Sequence, residues 1–343
     1  MREKEKIIFS SKSNNIIENR NNNFNIHDNL EHDNLELQIS PFGDIGQDVV
    51  TKDEFLKIAS ECKIPTYNET NIEYLNPIGR GSYGVIYSVE DKNTKNQFAL
   101  KSVLCQDIEQ ILKHKKEFEL GYSLNHENMI KIYNVLFKYF DMTTYLLYVL
   151  MEKAETDWNK EIEERKKSEN FYTETELIDI MKQLVNVLCY FQKNNIAHRD
   201  IKPQNILFCK NNLYKITDLG EAKYINNTDE LSTLKGSQLF MSPNLFFFLK
   251  YGGNSVKVKH NIFKSDVFSL GYCFLYAMSL DLKLIKCLRE ETSMHDVFSV
   301  ITKFGIEKKY SEKFMNIIYK MIQTDENKRC DFIELNEELN KIY

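Results

Sequence analysis

The sequence predicts an α+β fold in which a small sheet carrying one helix is followed by a larger, mainly helical half. Three observations lead there. Residues 74 to 104 fall into short, alternating, β-branched runs punctuated by glycine. Residues 107 to 124 interrupt that alternation with a helical pattern. Beyond Thr173, the apolar residues Leu177, Ile178, Met181, Leu184, Val185, Leu188 and Phe191 recur at helical spacing. A chain of 343 residues has room for one large domain or two lobes with real cores, since roughly three quarters of its unfolded surface is buried on folding.

Residues 1 to 50 are rich in Asn and charge, and His27-Asp28-Asn29-Leu30-Glu31 is repeated directly as His32-Asp33-Asn34-Leu35-Glu36. Such a segment buries too little apolar surface to offset its ordering entropy, so it is predicted to be a disordered extension. His27 and His32 read as products of that duplication rather than as metal ligands, because no other ligand accompanies them. Over 51 to 73 a short helix and a linker are expected. Thr51 and Glu54 have capping-box spacing, Val50 is a candidate staple, Phe55, Leu56, Ile58 and Ala59 form an apolar side, and Pro65 ends the helix. Its apolar side predicts docking on the domain that follows, and an autoinhibitory or partner-binding role would leave the same pattern.

Residues 74 to 154 form the sheet half. Gly79, Gly81 and Gly84 mark its first hairpin and Asn93-Thr94-Lys95-Asn96 the next turn, the helix spans 107 to 124, and Ile130 to Phe137 and Thr144 to Met151 supply two more strands. Residues 155 to 343 form the helical half. Thr173 and Glu176 make a second capping box, and later helices are predicted at 266 to 280, 311 to 323 and 331 to 341.

Composition excludes several classes. With 42% hydrophobic and 28% charged residues the chain has ordinary globular composition, and a net charge of −5 offers no footprint for nucleic acid. Seven cysteines without C-x-x-C spacing argue for reduced, buried thiols rather than a disulfide framework or zinc cage. The run from Phe268 to Leu280 is well short of the ~20 residues a membrane span needs and reads as a buried helix. Met1-Arg2-Glu3-Lys4-Glu5 lacks the apolar core of a signal peptide, and Arg2 and the C-terminal Asn340-Lys341-Ile342-Tyr343 match no lipidation motif. An intracellular, cytoplasmic protein is expected, with the nucleus left open.

Four short motifs carry chemistry. Ile196-Ala197-His198-Arg199-Asp200-Ile201-Lys202-Pro203-Gln204-Asn205 combines a carboxylate, a cation and an amide, and Asp218-Leu219-Gly220 begins thirteen residues after Asn205. Upstream stand Ile78-Gly79-Arg80-Gly81-Ser82-Tyr83-Gly84-Val85-Ile86 and Ala99-Leu100-Lys101. The glycine motif lies between two strands rather than between a strand and a helix, which points away from dinucleotide binding. In this order the motifs match the protein-kinase signature set, and from about Tyr74 to its C-terminus the chain resembles the eukaryotic protein kinases of the serine/threonine type.

That resemblance implies a two-lobed, protein-kinase-like fold and ATP and Mg2+ as cofactors. Gly79, Gly81 and Gly84 would cover the nucleotide's phosphates, and Lys101 would contact them while held by a helix glutamate. Glu117 is the candidate, because Glu117, Leu120, Leu124, Asn125 and His126 fit the family's helix pattern; Glu119 is the alternative. By the same resemblance Asp200 is the catalytic aspartate, Lys202 its companion lysine, and Asn205 and Asp218 the metal ligands. Ile78, Ile86, Ala99 and Leu207 would line the adenine pocket, with Met151 as gatekeeper and Glu152 and Ala154 in the hinge. Lys202 and Ser237 match the serine/threonine pattern. Arg199 is the position that pairs with a phosphorylated activation segment, for which Thr228, Ser232 and Thr233 are candidates.

Some positions depart from the pattern. Gly121 stands where the family carries a large apolar residue, so an unfilled gap and a mobile helix are expected, with activity dependent on a partner or on phosphorylation. Asn244 replaces the usual glutamate, which obliges Arg329 to find another acceptor. Phe268 replaces a tryptophan, and Asp266 is expected to anchor the catalytic loop backbone. The reading is a protein kinase acting on a protein Ser or Thr hydroxyl, activated by a partner or an upstream kinase, with no nucleic-acid or membrane partner. The alternative is a pseudokinase that binds nucleotide or a partner, and a small-molecule kinase fits less well.

Overall fold

The computed structural model describes residues 51–81, 84–141, 144–225, 231–252, 257–290 and 310–342, together with 299, 302 and 307. The Asn-rich extension with its His27 and His32, the Val50 staple and Thr228 lie outside the described residues.

Thr51 opens helix α1 (Lys52–Ser60) with the capping box its spacing implies: its Oγ1 accepts from the Glu54 amide at 3.2 Å, and the Glu54 carboxylate accepts from the Thr51 amide at 2.9 Å. The helix ends ahead of Pro65, where the Glu61 and Cys62 amides turn back onto the carbonyls of Lys57 and Ala59. Phe55 anchors it. That ring is fully buried, 5.1 Å from Tyr145 and 6.1 Å from Phe137.

Both aromatic partners belong to a five-stranded antiparallel sheet made of β1 (Ile72–Gly81), β2 (Gly84–Asp91), β3 (Gln97–Cys105), β4 (Ile132–Asp141) and β5 (Thr144–Met151), in the order β1-β2-β3-β5-β4. Asp107 caps α2 (Ile108–Ser123), which buries Ile111 and Phe118 in one cluster with Val103, Val135, Leu147 and Val149 of the sheet. β4 starts later than its apolar run suggests. The Ile130 amide donates to the Ile216 carbonyl and the Ile216 amide to the Asn128 carbonyl, so residues 128–130 pair with the second lobe before the chain joins the sheet.

The second lobe opens with β6 (Thr156–Asp157) and α3 (Trp158–Lys167), the latter absent from the sequence expectation because Trp158 and Ile162 are its only buried residues. The Thr173 capping box starts α4 (Glu174–Lys193). Short pieces follow: β7 (Ile196–Ala197), β8 (Ile206–Cys209), β9 (Leu213–Ile216), β10 (Lys223–Tyr224) and β11 (Leu231–Thr233). Then come α5 (Pro243–Gly252), β12 (Lys257–Lys259), α6 (Ile262–Ser279), α7 (Leu282–Glu290), α8 (Glu312–Met321) and α9 (Phe332–Ile342). α6 begins four residues earlier than the predicted helix because Asn261 caps it, and it is buried on nearly every side, as a helix apolar all round must be. No helix among the described residues is long and apolar enough to cross a membrane. The fold is the two-lobed α+β architecture expected, a sheet lobe with one packed helix and a helical lobe.

Two departures resolve physically. The gap expected at Gly121 is filled from the sheet: a Cβ there would lie 2.7 Å from Ile132 Cδ1, so the β4 side chain already occupies the space and its terminal methyl would have to turn aside for a larger residue. That removes the premise for a mobile α2. Arg329 is buried beside Phe268 and donates to the carbonyls of Gln323 at 2.8 Å, Lys264 at 2.9 Å and Thr324 at 3.3 Å. Burial pushes its pKa down to about 10, and the carbonyls take the place of the missing carboxylate.

Phe55→Ala is expected to cost about 3–5 kcal/mol of stability, because a sealed aromatic site leaves a cavity, whereas the half-exposed neighbour Leu56→Ala should stay within about 1 kcal/mol. Urea unfolding of the two variants checks the contrast.

Candidate active site

The sheet register brings several candidates onto one face. Lys101 on β3 pairs with Ile86 of β2 and Val149 of β5, and Ala99, two residues back, pairs with Met151. Ile86, Ala154 and Leu207 pack against the cluster holding Ala99 and Met151, so these residues expected around an adenine ring share one apolar cluster. Ile78 stands apart from it as an exposed side chain on β1. Glu152 turns its carboxylate to the Lys215 ammonium at 2.7 Å and donates its amide to the Lys131 carbonyl. Its own carbonyl is what it can offer a ligand.

The three glycines of the β1–β2 hairpin are not equivalent. A Cβ at Gly84 would lie 1.7 Å from the Ser102 carbonyl oxygen, so packing against β3 alone demands glycine there. At Gly79 the nearest atom to a Cβ is Ile86 Cδ1 at an ordinary 3.6 Å. Packing does not demand glycine at 79, and close backbone approach by a ligand is what would. Gly81 closes the hairpin opposite Gly84.

Lys101 Nζ meets Glu117 Oε1 at 2.8 Å. Glu119, the alternative partner, instead accepts from the Lys63 amide at 2.9 Å and ties the segment after α1 to α2. Burial presses the Glu117 carboxyl upward, but the Lys101 charge and a hydrogen bond from His114 outweigh it and leave the pKa below its ordinary value.

In the second lobe, Asp200 is held on both oxygens. Lys202 Nζ lies 2.6 Å and Asn205 Nδ2 3.2 Å from Oδ2, and Ser237 Oγ lies 2.9 Å from Oδ1. Burial raises this carboxyl's pKa, and the Lys202 and Ser237 hydrogen bonds more than reverse the effect, so it is ionised. Asn205 also donates to the Asp200 carbonyl at 2.9 Å, which leaves its Oδ1 as a hard acceptor. Its main-chain oxygen accepts from Thr217, drawing the two loops together just before Asp218. Asp218 is exposed, in a left-handed conformation at φ 62°, and accepts a long 3.4 Å bond from the Gly220 amide. An amide oxygen and a carboxylate suit Mg2+, which prefers hard oxygen donors and keeps several waters.

The loop itself is anchored from below by Asp266, whose oxygens accept from the His198 amide at 2.8 Å and the Arg199 amide at 3.0 Å. Full burial pushes its pKa up to about 6 despite those bonds. His198 Nδ1 accepts from the Asp200 amide and Nε2 faces the Thr217 carbonyl at 3.1 Å, which fixes the tautomer with the proton on Nε2. Arg199 is left-handed at φ 68°, and a Cβ on Gly236, itself at φ 106°, would sit 2.6 Å from the Arg199 carbonyl oxygen. Of the candidate phosphorylation sites, Ser232 and Thr233 lie in β11, paired with Val258 and Lys257 of β12.

Sequence reasoning missed three contacts: His114 on Glu117, Lys215 on Glu152, and Glu221, which bridges Lys113 of α2 at 3.2 Å and Lys235 at 3.1 Å. Only His114 had a local signal, its position one helical turn before Glu117.

A five-stranded antiparallel sheet lobe with one packed helix, followed by a helical lobe, is the protein-kinase architecture. A family model described as the protein kinase domain matches residues 72–339, and the chain belongs to that family. Similar proteins include the probable serine/threonine-protein kinase fhkA of Dictyostelium discoideum, 30% identical over 63% of this chain and 38% of that protein. Calcium-dependent protein kinase 6 of Plasmodium berghei (strain Anka) is 29% identical over 79% of this chain and 18% of its own length. The serine/threonine-protein kinase atg1 of Dictyostelium discoideum is 30% identical over 74% of this chain and 37% of its own length. The matches thus span well under half the length of these relatives.

Because the folded Glu117 binds its proton less readily than its ordinary pKa of 4.5 allows, the unfolded chain protonates first as pH falls. The stabilisation is complete above that value and is lost as pH drops through the lower folded pKa. Thermal melts should therefore find Glu117→Gln well below wild type at neutral pH, with the gap closing as the buffer is taken below pH 4.5.

Proposed function

We propose that the chain is a serine/threonine protein kinase that transfers the γ-phosphoryl group of ATP, with Mg2+, to a hydroxyl of a protein substrate. The observation that carries this reading is the condition of Asp200, half-buried and ionised with donors on both oxygens. A substrate hydroxyl directed at that carboxylate is oriented for attack. As its oxygen bonds the γ-phosphorus, its proton passes to Asp200, and the bond from phosphorus to the bridging oxygen breaks with the electron pair leaving on ADP.

Lys101, steadied by Glu117, holds the α- and β-phosphate oxygens, and the backbone at Gly79, Gly81 and Gly84 closes over them. Asn205 and Asp218 hold Mg2+, which when bound neutralises phosphate charge. Ile78, Ile86, Ala99 and Leu207 flank the base, Met151 limits pocket depth, and the Glu152 carbonyl and Ala154 backbone meet the base's polar edge. The joint engagement of Asp200 by Lys202 and Ser237 supports the serine/threonine acceptor, as do the names of the similar proteins. In this reading residues 51–73 are an accessory helix and linker, 74–154 the nucleotide lobe and 155–343 the substrate lobe.

Incubated with Mg-ATP and a peptide library, the wild type is expected to yield phosphoserine and phosphothreonine, and Asp200→Asn to lose about 10²- to 10⁴-fold in rate. Equal label incorporation by both would defeat the enzyme reading. Nucleotide binding without transfer by the wild type would favour a pseudokinase, and phosphotyrosine alone would defeat the acceptor assignment. Regulation enters through Arg199, which would pair with a phosphate added by an upstream kinase on Thr228, Ser232 or Thr233. Replacing all three by Ala should lower activity, measured in the same assay, and unchanged activity would end that part of the reading.

A further inference from the structure

Glu117 is buried, so each of its carboxylate oxygens needs a donor, yet the phosphate-anchoring lysine reaches only one. The other, Oε2, lies 2.9 Å from His114 Nδ1, three residues earlier on the same face of α2. His114 is itself only 2% exposed. Its ring stacks on Phe118 at 6.0 Å, and Lys101 Nζ lies 5.5 Å over that same Phe118 ring. Four side chains thus close into one cluster around a single carboxylate.

We propose that His114 is a positioning residue of the nucleotide site, locking the Glu117 carboxylate in the orientation that presents Oε1 to Lys101. The proposal rests on the reading of Lys101 and Glu117 as the phosphate anchor. A carboxylate held at one oxygen turns freely about its last torsion, whose preferences are broad, and a second donor removes that freedom. The second oxygen also has a neighbour to avoid. A Cβ built on Gly220 would lie 3.5 Å from Glu117 Oε2 and 3.3 Å from Asp218 Oδ1, so two carboxylates border the same glycine. A donor on Oε2 fixes the carboxylate edge that faces the Asp218 loop.

The test separates the ring from its donor. His114→Phe keeps an aromatic ring against Phe118 and loses the hydrogen bond, while His114→Asn loses the ring but can place an amide N–H where Nδ1 stands. The Phe variant is expected to raise KM for ATP, and Kd for a fluorescent ATP analogue, by about tenfold or more. The Asn variant should recover most of that loss, independently of where either variant melts. Should the Phe variant fail to fold, His114→Met takes its place. Wild-type KM in the Phe variant alongside an inactive Lys101→Met control would overturn the role of His114 and leave the anchor intact, as would an Asn variant as impaired as the Phe variant. A Lys101→Met control with wild-type KM and transfer rate would bring down the anchor reading, and this proposal with it.

Discussion

Asp266, sealed near the start of α6, holds the Asp200 loop by its backbone: its two oxygens fix the amides of consecutive residues, His198 and Arg199, in a region with no regular ladder to do so. Much follows from that grip. Arg199 stays in a left-handed conformation that a non-glycine residue adopts only at an energetic cost, and Asp200 is turned toward Lys202, Asn205 and Ser237. Gly236 then seals the strained carbonyl from the far side, where no side chain fits. A carboxylate whose pKa is raised by burial would be a poor choice for stability alone; its retention makes sense as the fixed point of the loop.

The sheet lobe meets the same requirement from the opposite direction. Lys101 stands on a strand and Glu117 on a helix, so their pairing depends on how α2 sits against the sheet. α2 is secured along its length: Glu221 meets Lys113, Glu119 receives the Lys63 amide, and Ile132 fills the surface opposite Gly121. The first of these contacts comes from the residue just after Asp218-Leu219-Gly220 and the second from the segment following α1. Helix position is thereby coupled to elements both before and after it in the chain. Half-buried ion pairs such as Lys113 with Glu221 add little energy singly, and the apolar seam of Ile111 and Phe118 supplies the bulk of the adhesion.

Much of this was legible in the sequence wherever a short-range rule applied. Both capping boxes could be read because Thr and Glu three residues apart satisfy each other locally. The pairing of Lys101 with Glu117 rather than Glu119 was expected from the resemblance to the family's helix pattern. What was not legible depended on distant packing. Gly121 looked like a gap because its filler, Ile132, comes from another element, and Arg329 looked stranded because backbone carbonyls leave no trace in residue identity. β4 was misjudged for a similar reason: Ile130 is as apolar as its neighbours, but its amide is committed to Ile216 across the lobes. α3 escaped notice because a surface helix with two buried side chains has almost no periodicity to detect.

The ion pair between Glu152 and Lys215 has a mechanical consequence. Glu152 immediately follows β5 and Lys215 lies on β9, while three residues on the Glu155 amide is bonded to the Phe208 carbonyl of β8. Rotation of one lobe against the other therefore bears on the backbone torsions of Lys153 and Ala154, clamped at both ends, and on Lys131, where the chain crosses between the Ile130–Ile216 bond and β4. Two clamps on so short a stretch oppose relative turning of the lobes, and loosening either would ease it without touching Lys101, Asn205 or Asp218.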